Sequence, residues 1–150
     1  MKILLAIDNS EHSAEAVREI AARPWPPNTT VRVLSAIEPV TPPAVELWYD
    51  AGGNLERVQQ EMTKRANELT TRGAERLEGK GFAVETMVRD GDPRSVIVDE
   101  AANWSADLIV MGSHGYTGVK RLLLGSVALY VVSHAPCSVE VVRRKQENTQ

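Results

Sequence analysis

The chain has 150 residues, 43% of them hydrophobic and 25% charged, which is the size and composition of one globular domain spanning residues 1–150, with a polar tail from about 144. Its formal net charge of −3 excludes a general electrostatic attraction to nucleic acid or to an anionic membrane. Because no apolar run is long enough to span a bilayer or form a signal-peptide core, and because Cys137 has no second cysteine to pair with, we expect a cytoplasmic protein without an internal disulfide.

The first predicted elements are a buried strand and a capped helix. "KILLAI" (Lys2 to Ile7) is a nearly continuous apolar run, typical of a parallel strand that is covered on both faces. Asn9 or Ser10 can then cap a helix whose apolar residues recur at helical spacing until Pro24. A second strand, "TTVRVLSAIE", follows at Thr29 to Glu38 and is rich in β-branched residues.

A proline- and glycine-bearing connection runs from Pro39 to Gly53 and carries Trp48 and Tyr49. It is either a lid that closes over a ligand or a disordered connection. A long helix is predicted after it, with one apolar face formed by Leu55, Val58, Met62, Leu69 and Leu77.

The second half of the chain repeats the alternation of strand and helix. "FAVETMVRDG" predicts a third strand, and "GDPRSVIVDEAANW" a helix with Asp92 as N-cap and Pro93 in its first turn. "ADLIVMGS" is a fourth strand, "SVALYVVSHAP" a last helix ended by Pro136, and "CSVEVVR" a fifth strand.

Five strands separated by helices predict an α/β fold: one three-layer domain with a five-stranded parallel sheet and helices on both faces. In such sheets ligands bind beyond the carboxyl ends of the strands, where the strand order reverses. Asp8 and the segment "GSHG" both follow strands at that edge.

Three glycines stand between the fourth strand and the last helix. Gly112 and Gly115 follow the strand, and Gly125 with Ser126 begins the helix, so backbone N–H groups there can face an anion. The GxGxxG of dinucleotide folds and the GK[ST] ending of a P-loop are both absent from this segment. The remaining alternatives are a phosphate-binding loop and an ordinary strand-to-helix connection.

In these residues the chain resembles the universal stress proteins, whose ATP-binding members carry G-x2-G-x9-G-[ST] after the fourth strand. Gly112 to Gly115, nine residues, and then Gly125-Ser126 match this pattern. "AIDNSEHSAEA", "GDP" and "CSVEVVR" extend the resemblance over essentially the whole chain. The resemblance implies a Rossmann-like sheet in the order 3-2-1-4-5, of the adenine nucleotide alpha hydrolase-like class, with ATP at the carboxyl edge and homodimers of the domain.

The resemblance also implies the roles of individual residues. The residues expected beside the adenine and ribose are Ile7, Asp8, Ala36, Met111 and Gly112. The residues expected beside the phosphates are Ser113, His114, Gly115, Gly125, Ser126 and Val127. Backbone groups would read the base, the Asp8 carboxylate would hold the ribose, and N–H groups at the start of the last helix would meet the phosphates. Any accompanying Mg²⁺ or Mn²⁺ would be held mainly by the phosphates.

Several of these residues also have a simpler interpretation. Asp8 can instead cap the following helix, and His114 is more typical of a solvated loop histidine than of a general base. Lys120 and Arg121 either lean toward the phosphates or form a solvated basic face. His12 and His134 look incidental, and the helix start at "DGDP" explains Asp90 and Asp92 without a metal.

The leading interpretation is an ATP-binding regulatory module of the stress response, without evident catalytic residues, which acts through self-association or a protein partner. The alternatives are slow nucleotide hydrolysis, with His114 or Asp8 positioning water, and a ligand-free interaction protein. The expected dimer interface is the fifth strand, Cys137 to Arg143, whose alternation puts Cys137, Val139 and Val141 on one face. We expect no inward charge or proline to block pairing along this strand.

Overall fold

A computed structural model of the chain describes residues 1–39, 53–115 and 123–144. The strands within these ranges are β1 (Lys2–Ala6), β2 (Thr30–Ile37), β3 (Ala83–Asp90), β4 (Leu108–Gly112) and β5 (Ser138–Val142). The helices are α1 (Glu11–Ala22), α2 (Asn54–Leu77), α3 (Pro93–Trp104) and α4 (Ser126–His134). Two open questions from the sequence lie outside the described residues. One is whether the connection with Trp48 and Tyr49 is a lid or disordered, and the other is whether Lys120 and Arg121 contact phosphates or form a solvated basic face.

The five strands form one parallel sheet in the order β3-β2-β1-β4-β5, which confirms the predicted fold. Leu5 in the middle of β1 pairs with Val33 of β2 on one side and with Val110 of β4 on the other. The chain builds outward from β1 to β3 and then returns to the opposite side of β1. The strand order therefore reverses between β1 and β4, and their carboxyl ends share one edge.

The alternating side chains of β1 are buried in two separate hydrophobic layers, one on each face of the sheet. Ile3 and Leu5 pack in the layer that contains Val17 and Ile20 of α1 and Leu77 of α2. Leu4 and Ala6 pack in the layer formed with α3 and α4, which includes Ile97, Ala101, Ala128 and Val131. Burial on both faces is the reason that this strand has almost no polar residue.

The helix starts follow the predicted capping chemistry. Ser10 is the N-cap of α1, and its hydroxyl oxygen accepts the N–H of Ser13 at 3.1 Å. Asp92 caps α3 by accepting the N–H of Arg94 at 2.9 Å, and Pro93 occupies the first turn. Both caps fix the direction in which a chain leaves the carboxyl edge of the sheet.

The predicted apolar face of α2 is wrong in the first half of the helix, where Val58 is 45% exposed. The buried positions all come from the second half and are mostly small: Ala66, Thr70, Gly73, Ala74 and Leu77. A Cβ atom on Gly73 would stand 3.3 Å from Cδ1 of Ile7, so the helix packs closely on the sheet at this position. Small residues that permit a close approach carry no apolar signal in the sequence, which is why periodicity missed them.

Strand β5 forms one edge of the sheet and alternates as predicted. Cys137, Val139 and Val141 pack toward α3 and α4, while Val142 joins the layer under α1. The expectation that this strand carries no inward charge is wrong, because Glu140 forms an ion pair with Arg23 at the end of α1. The pair neutralises the charge on a face that α1 covers only in part.

The helices in the described ranges are all too short or too polar to cross a lipid bilayer.

Candidate functional site

A cavity of about 100 Å³ lies at the carboxyl edge of the sheet, where the strand order reverses. Its apolar wall consists of Ala6, Ile7, Leu34, Ala36, Pro93, Ile97, Met111, Val127 and Ala128. Its more polar wall consists of Asp8, Ser13, Gly112, His114 and Gly115. The structure thus brings together all the sequence-predicted site residues except Ser113, Gly125 and Ser126, which stand behind or beside this wall.

A second depression, of about 470 Å³, runs along the solvent side of α2 between Lys64 and Arg72. Among the described residues one helix supplies all of its lining, so this part of the chain gives it no opposing wall to enclose a ligand. The carboxyl-edge cavity has walls from several elements and is the candidate site. Typical small-molecule sites measure about 300–1,000 Å³, so the described residues enclose only part of such a site.

The carboxylate of Asp8 is held in place by the start of α1. Its Oδ1 accepts the backbone N–H of Ser10 and the hydroxyl of Ser13, both at 2.9 Å. The Ser13 hydroxyl oxygen also accepts the N–H of Asp8 at 2.9 Å. Ser10, and not Asp8, is the N-cap of α1, and Asp8 supports the helix start through its bonds to Ser10 and Ser13. Asp8 is oriented before any ligand arrives.

Gly112 ends β4 directly against the first turn of α1. A Cβ atom at this position would stand 2.7 Å from both the carbonyl carbon and the Cβ of His12. At Gly115 an added Cβ would stand 3.0 Å from Oδ2 of Asp8. These two glycines therefore clear space for the protein's own helix and carboxylate, whereas the sequence pattern had suggested space for a ligand.

Ser113 is almost completely buried and connects three elements. Its N–H donates to the carbonyl of Val142 in β5 at 2.8 Å, and its carbonyl accepts the N–H of Gly125 at 2.7 Å. Its hydroxyl lies between two histidine rings. With its backbone and side-chain groups engaged inside the protein, Ser113 supports the loop from beneath and does not face the cavity.

His12 and His114 form a pair beside the cavity. Their ring centroids are 5.2 Å apart, and the Oγ of Ser113 lies 3.2 Å from Nδ1 of His12 and 3.0 Å from Nδ1 of His114. Burial lowers the pKa of His12, the neighbouring His114 lowers it further, and Asp8 acts in the opposite direction. The prediction that His12 is incidental is wrong.

The start of α4 faces the same edge of the sheet. Gly125 is its N-cap and donates its N–H to the carbonyl of Ser113, so this N–H is not directed at a ligand. The glycine instead lets the start of α4 pack closely on the loop after β4. A Cβ atom on Gly125 would lie 3.2 Å from the Cα of His114. The N–H groups of Ser126 and Val127 belong to the first helical turn, where no intrahelical acceptor exists. They are the positive end of this helix.

The side of the cavity expected to meet a base is lined by strand ends. The N–H of Ile7 donates to the carbonyl of Leu34 at 2.9 Å, so of its two backbone groups only the carbonyl remains for a base. Ala36 is partly exposed, and Met111 is buried in the layer under α3 and α4. Pro93 and Ile97 of α3 complete this apolar wall, so the "GDP" segment caps a helix and also shapes the cavity.

Within the described ranges, no group of three or more His, Cys, Asp and Glu side chains is placed to hold a metal ion.

Sequence reasoning missed several residues of the site. Ser13 and His12 stand in a helix start that the sequence presents only as a capping segment, and their partners are distant in the chain. The spacing "D-x4-S" at a strand-to-helix turn is the only signal that relates Ser13 to Asp8, and it is weak. No sequence pattern relates His12 to Ser113.

Comparison with known proteins places this chain among related sequences over nearly its full length. The model of the universal stress protein family matches residues 1–143. Universal stress protein Sll1388 of a Synechocystis species is 31% identical over 151 residues, covering 95% of this chain and 97% of the relative.

Solved structures agree with this placement. The structure of the protein MJ0577 has a TM-score of 0.81 and 30% identity, and 97% of each chain is covered. A universal stress protein family protein from Arabidopsis thaliana, At3g01520, solved with AMP bound, has a TM-score of 0.70. It is 17% identical, with 100% of this chain and 95% of that chain covered, so it supports the fold alone.

Proposed function

Because the chain belongs to the universal stress protein family, we propose that it binds an adenine nucleotide, ATP foremost, in the carboxyl-edge cavity. The observation that carries this proposal is the meeting of three features around one space. They are an apolar wall built by strand ends, an oriented carboxylate at Asp8, and the first turn of α4. A flat apolar base, a ribose and a phosphate chain require such features in that order.

The adenine would lie against the apolar wall between Ala36, Met111 and Val127. Its polar edge would meet backbone groups of Ile7 and Ala36, as the family resemblance implies. The protein of the same fold from Arabidopsis thaliana was solved with AMP bound, and we propose the same class of ligand for this cavity.

The ribose hydroxyls would donate to the carboxylate of Asp8. Ser10 and Ser13 already hold this side chain at 2.9 Å, so little side-chain entropy is lost when a ribose binds. Pre-organisation of this kind favours binding without a new conformational cost.

The phosphates would lie over Gly115 and at the start of α4. The N–H groups of Ser126 and Val127 would donate to them, and the hydroxyl of Ser126 would add another donor. A divalent cation that arrives with ATP would be held by phosphate oxygens, since these residues offer it no cluster of carboxylates.

The regulatory part of the proposal is a homodimer through β5. The carbonyl of Val142 accepts the N–H of Ser113, so the backbone groups of Val142 face β4. Backbone groups alternate sides along a strand, so those of Val139 and Val141 face away from the sheet. A two-fold axis at this edge would pair them with a second copy.

Exposed apolar side chains near this edge also favour a second copy. Leu129 and Val132 of α4 are 56% and 48% exposed, and Leu123 is 76% exposed. The carbonyl of Leu123 accepts from Arg143 just beyond β5, at 2.9 Å, which ties this apolar surface to the end of the edge strand. Isolated exposed apolar residues are common, but several of them on the helix and connection that precede an edge strand are compatible with an interface there.

Calorimetric titration of ligand-stripped protein with ATP, ADP, AMP and cyclic AMP tests the proposed ligand. We expect ATP to bind with a micromolar dissociation constant, which corresponds to about −8 kcal/mol. Comparison of the four dissociation constants ranks the nucleotides. Turnover in excess ATP would identify a hydrolase instead of a binding module. Absence of binding by every nucleotide would leave the ligand-free interaction protein as the correct interpretation.

A further inference from the structure

A hydrogen-bonded network joins the side chains of His12, Ser113 and His114. The hydroxyl and the two ring nitrogens beside it can share only a fixed number of hydrogens. Ser113 has one hydroxyl hydrogen and two nitrogen neighbours, the Nδ1 atoms of His12 and His114, at 3.2 and 3.0 Å. If the hydroxyl donates to one Nδ1, the other Nδ1 must carry a hydrogen and donate to the hydroxyl oxygen. The two rings are therefore different tautomers when both are neutral.

The network can accept one added proton and keep both hydrogen bonds of Ser113. The ring that already donates through Nδ1 accepts the proton at Nε2, after which both rings carry N–H at Nε2. A second proton would have to enter at the other Nδ1, displace the hydroxyl hydrogen and place two positive charges 5.2 Å apart. The pair thus holds one positive charge and resists a second.

We propose that the hydrogen-bonded side chains of His12, Ser113 and His114 take up one proton when nucleotide phosphates bind. Phosphate-bearing ligands then bind more tightly as the pH falls. The inference rests on the proposed function and adds to it two histidines that respond to the phosphates. His114 lines the cavity, and His12 acts on it through Ser113 as a positioning residue.

The charged groups near His12 in space or in sequence determine whether the histidine pair gains or loses a proton when a phosphate binds. Among the described residues these are Asp8 at the end of β1, His114 after β4, and Glu11 and Glu15 on the same helix. Glu11 forms an ion pair with Arg144 after β5, and Glu15 forms one with Arg18.

The local environment leaves His12 without its proton in the ligand-free protein near neutral pH. Burial and His114 lower its pKa, and the opposing effect of Asp8 is smaller. A phosphate brought beside His114 adds negative charge, which raises the proton affinity of the pair. By linkage, a ligand whose binding takes up protons binds more tightly at lower pH.

ATP and adenosine titrations of wild type and His12→Asn between about pH 8 and pH 6 test the inference, because this range spans the titration of histidine. Asparagine keeps a Cβ against Gly112 and a group that can bond Ser113, but it does not titrate. The γ-phosphate of ATP itself titrates near pH ~6, so the measured quantity is the difference in slope between the two proteins. His134→Asn on the outer side of α4 is the matched control.

The wild type should gain more ATP affinity over this range than His12→Asn, by up to about tenfold for each pKa unit by which the ligand shifts the pair. Adenosine affinity should follow the same pH profile in both proteins, and His134→Asn should follow the wild type. Equal ATP slopes in wild type and His12→Asn would overturn the inference while leaving the proposed function intact. Failure of both ATP and adenosine to bind would instead overturn the proposed function.

A measurement on the unaltered protein covers the case in which His12→Asn does not fold. Long-range ¹H–¹⁵N spectra at about pH 7 distinguish the neutral tautomers from a doubly protonated ring. We expect one Nδ1–H and one Nε2–H tautomer without ligand, and one doubly protonated ring after ATP is added. Two unchanged neutral rings in the ATP complex would contradict the proposal.

Discussion

Gly112 lies so close to the first turn of α1 that an added Cβ would stand 2.7 Å from the carbonyl carbon of His12. The first glycine of the loop is therefore required by contact between β4 and α1, independently of any ligand. The contacted atoms are backbone atoms or lie beside the backbone, so they cannot rotate away.

Gly112→Ala should lower the free energy of unfolding by about 1–3 kcal/mol, the usual cost of overpacking. Gly115→Ala is the matched comparison, because its Cβ would meet the movable carboxylate of Asp8 at 3.0 Å. We expect it to cost less stability and to weaken adenosine binding by displacing that carboxylate. Denaturant unfolding measures the first effect, and wild-type stability in Gly112→Ala would contradict it.

Asp8→Ala should weaken ATP and adenosine binding by a similar factor, because both ligands carry the ribose. A lost hydrogen bond to a charged group costs roughly 1.5–3 kcal/mol, or tenfold and more in affinity. Asn9→Ala, one residue along the same turn, should change neither affinity. Inorganic triphosphate should bind Asp8→Ala as it binds the wild type, and a large loss there would indicate a collapsed loop instead of a lost ribose contact.

Val141→Pro should convert a homodimer into a folded monomer. Proline removes the outward N–H that a second copy would use, and edge strands tolerate such a change because β4 does not need that donor. Leu129→Asp should have the same effect through the exposed apolar surface beside β5. Light scattering decides the matter: a wild type that stays monomeric at tens of micromolar with and without ATP would refute the dimer.

The stability of the ligand-free protein should decline with acid in a way that depends on His12. Its folded pKa is lowered below the unfolded value of about 6.5, so the unfolded chain binds more protons between those two values. Stability from this group is fully present above pH ~6.5 and is lost as the pH falls from there toward the folded pKa. His12→Asn should show a shallower decline in unfolding free energy, and equal slopes in the two proteins would contradict this assignment.

The sequence was sufficient for the strands, the helix starts and a parallel sheet because these signals are local and periodic, whereas the strand order came from the family resemblance. The apolar run of β1, the Ser10 and Asp92 caps and the alternation of β5 each act over a few residues, and each was confirmed. The small-residue face of α2 was not predictable, because Gly73 and its neighbours pack by permitting contact and not by being apolar.

The candidate site was predictable in its outline but not in its internal contacts. The predicted sheet topology and the family resemblance placed Asp8, the glycine loop and the start of α4 together, yet the glycines were interpreted as space for a ligand. The structure places His12 and Asp8 in that space. The contacts of Ser113 with Val142 and His12 join residues that are distant in the chain, and no local pattern encodes them.

The Ser126→Pro substitution tests phosphate binding at the first turn of α4 with little risk to the fold. Ser126 is the first helical residue, where proline is favoured, and Gly125 has the extended backbone (ψ 166°) that a residue before proline requires. The substitution removes one N–H and one hydroxyl from the proposed phosphate contacts, while Ser126→Ala removes the hydroxyl alone.

The most direct measurement is calorimetric titration of ATP and adenosine into ligand-stripped wild type, Ser126→Ala and Ser126→Pro. ATP affinity should fall from wild type to Ser126→Ala and fall further in Ser126→Pro, by about 0.5–3 kcal/mol for each lost hydrogen bond. Adenosine should bind all three proteins equally. Undiminished ATP affinity in a folded Ser126→Pro protein would contradict phosphate binding at this helix.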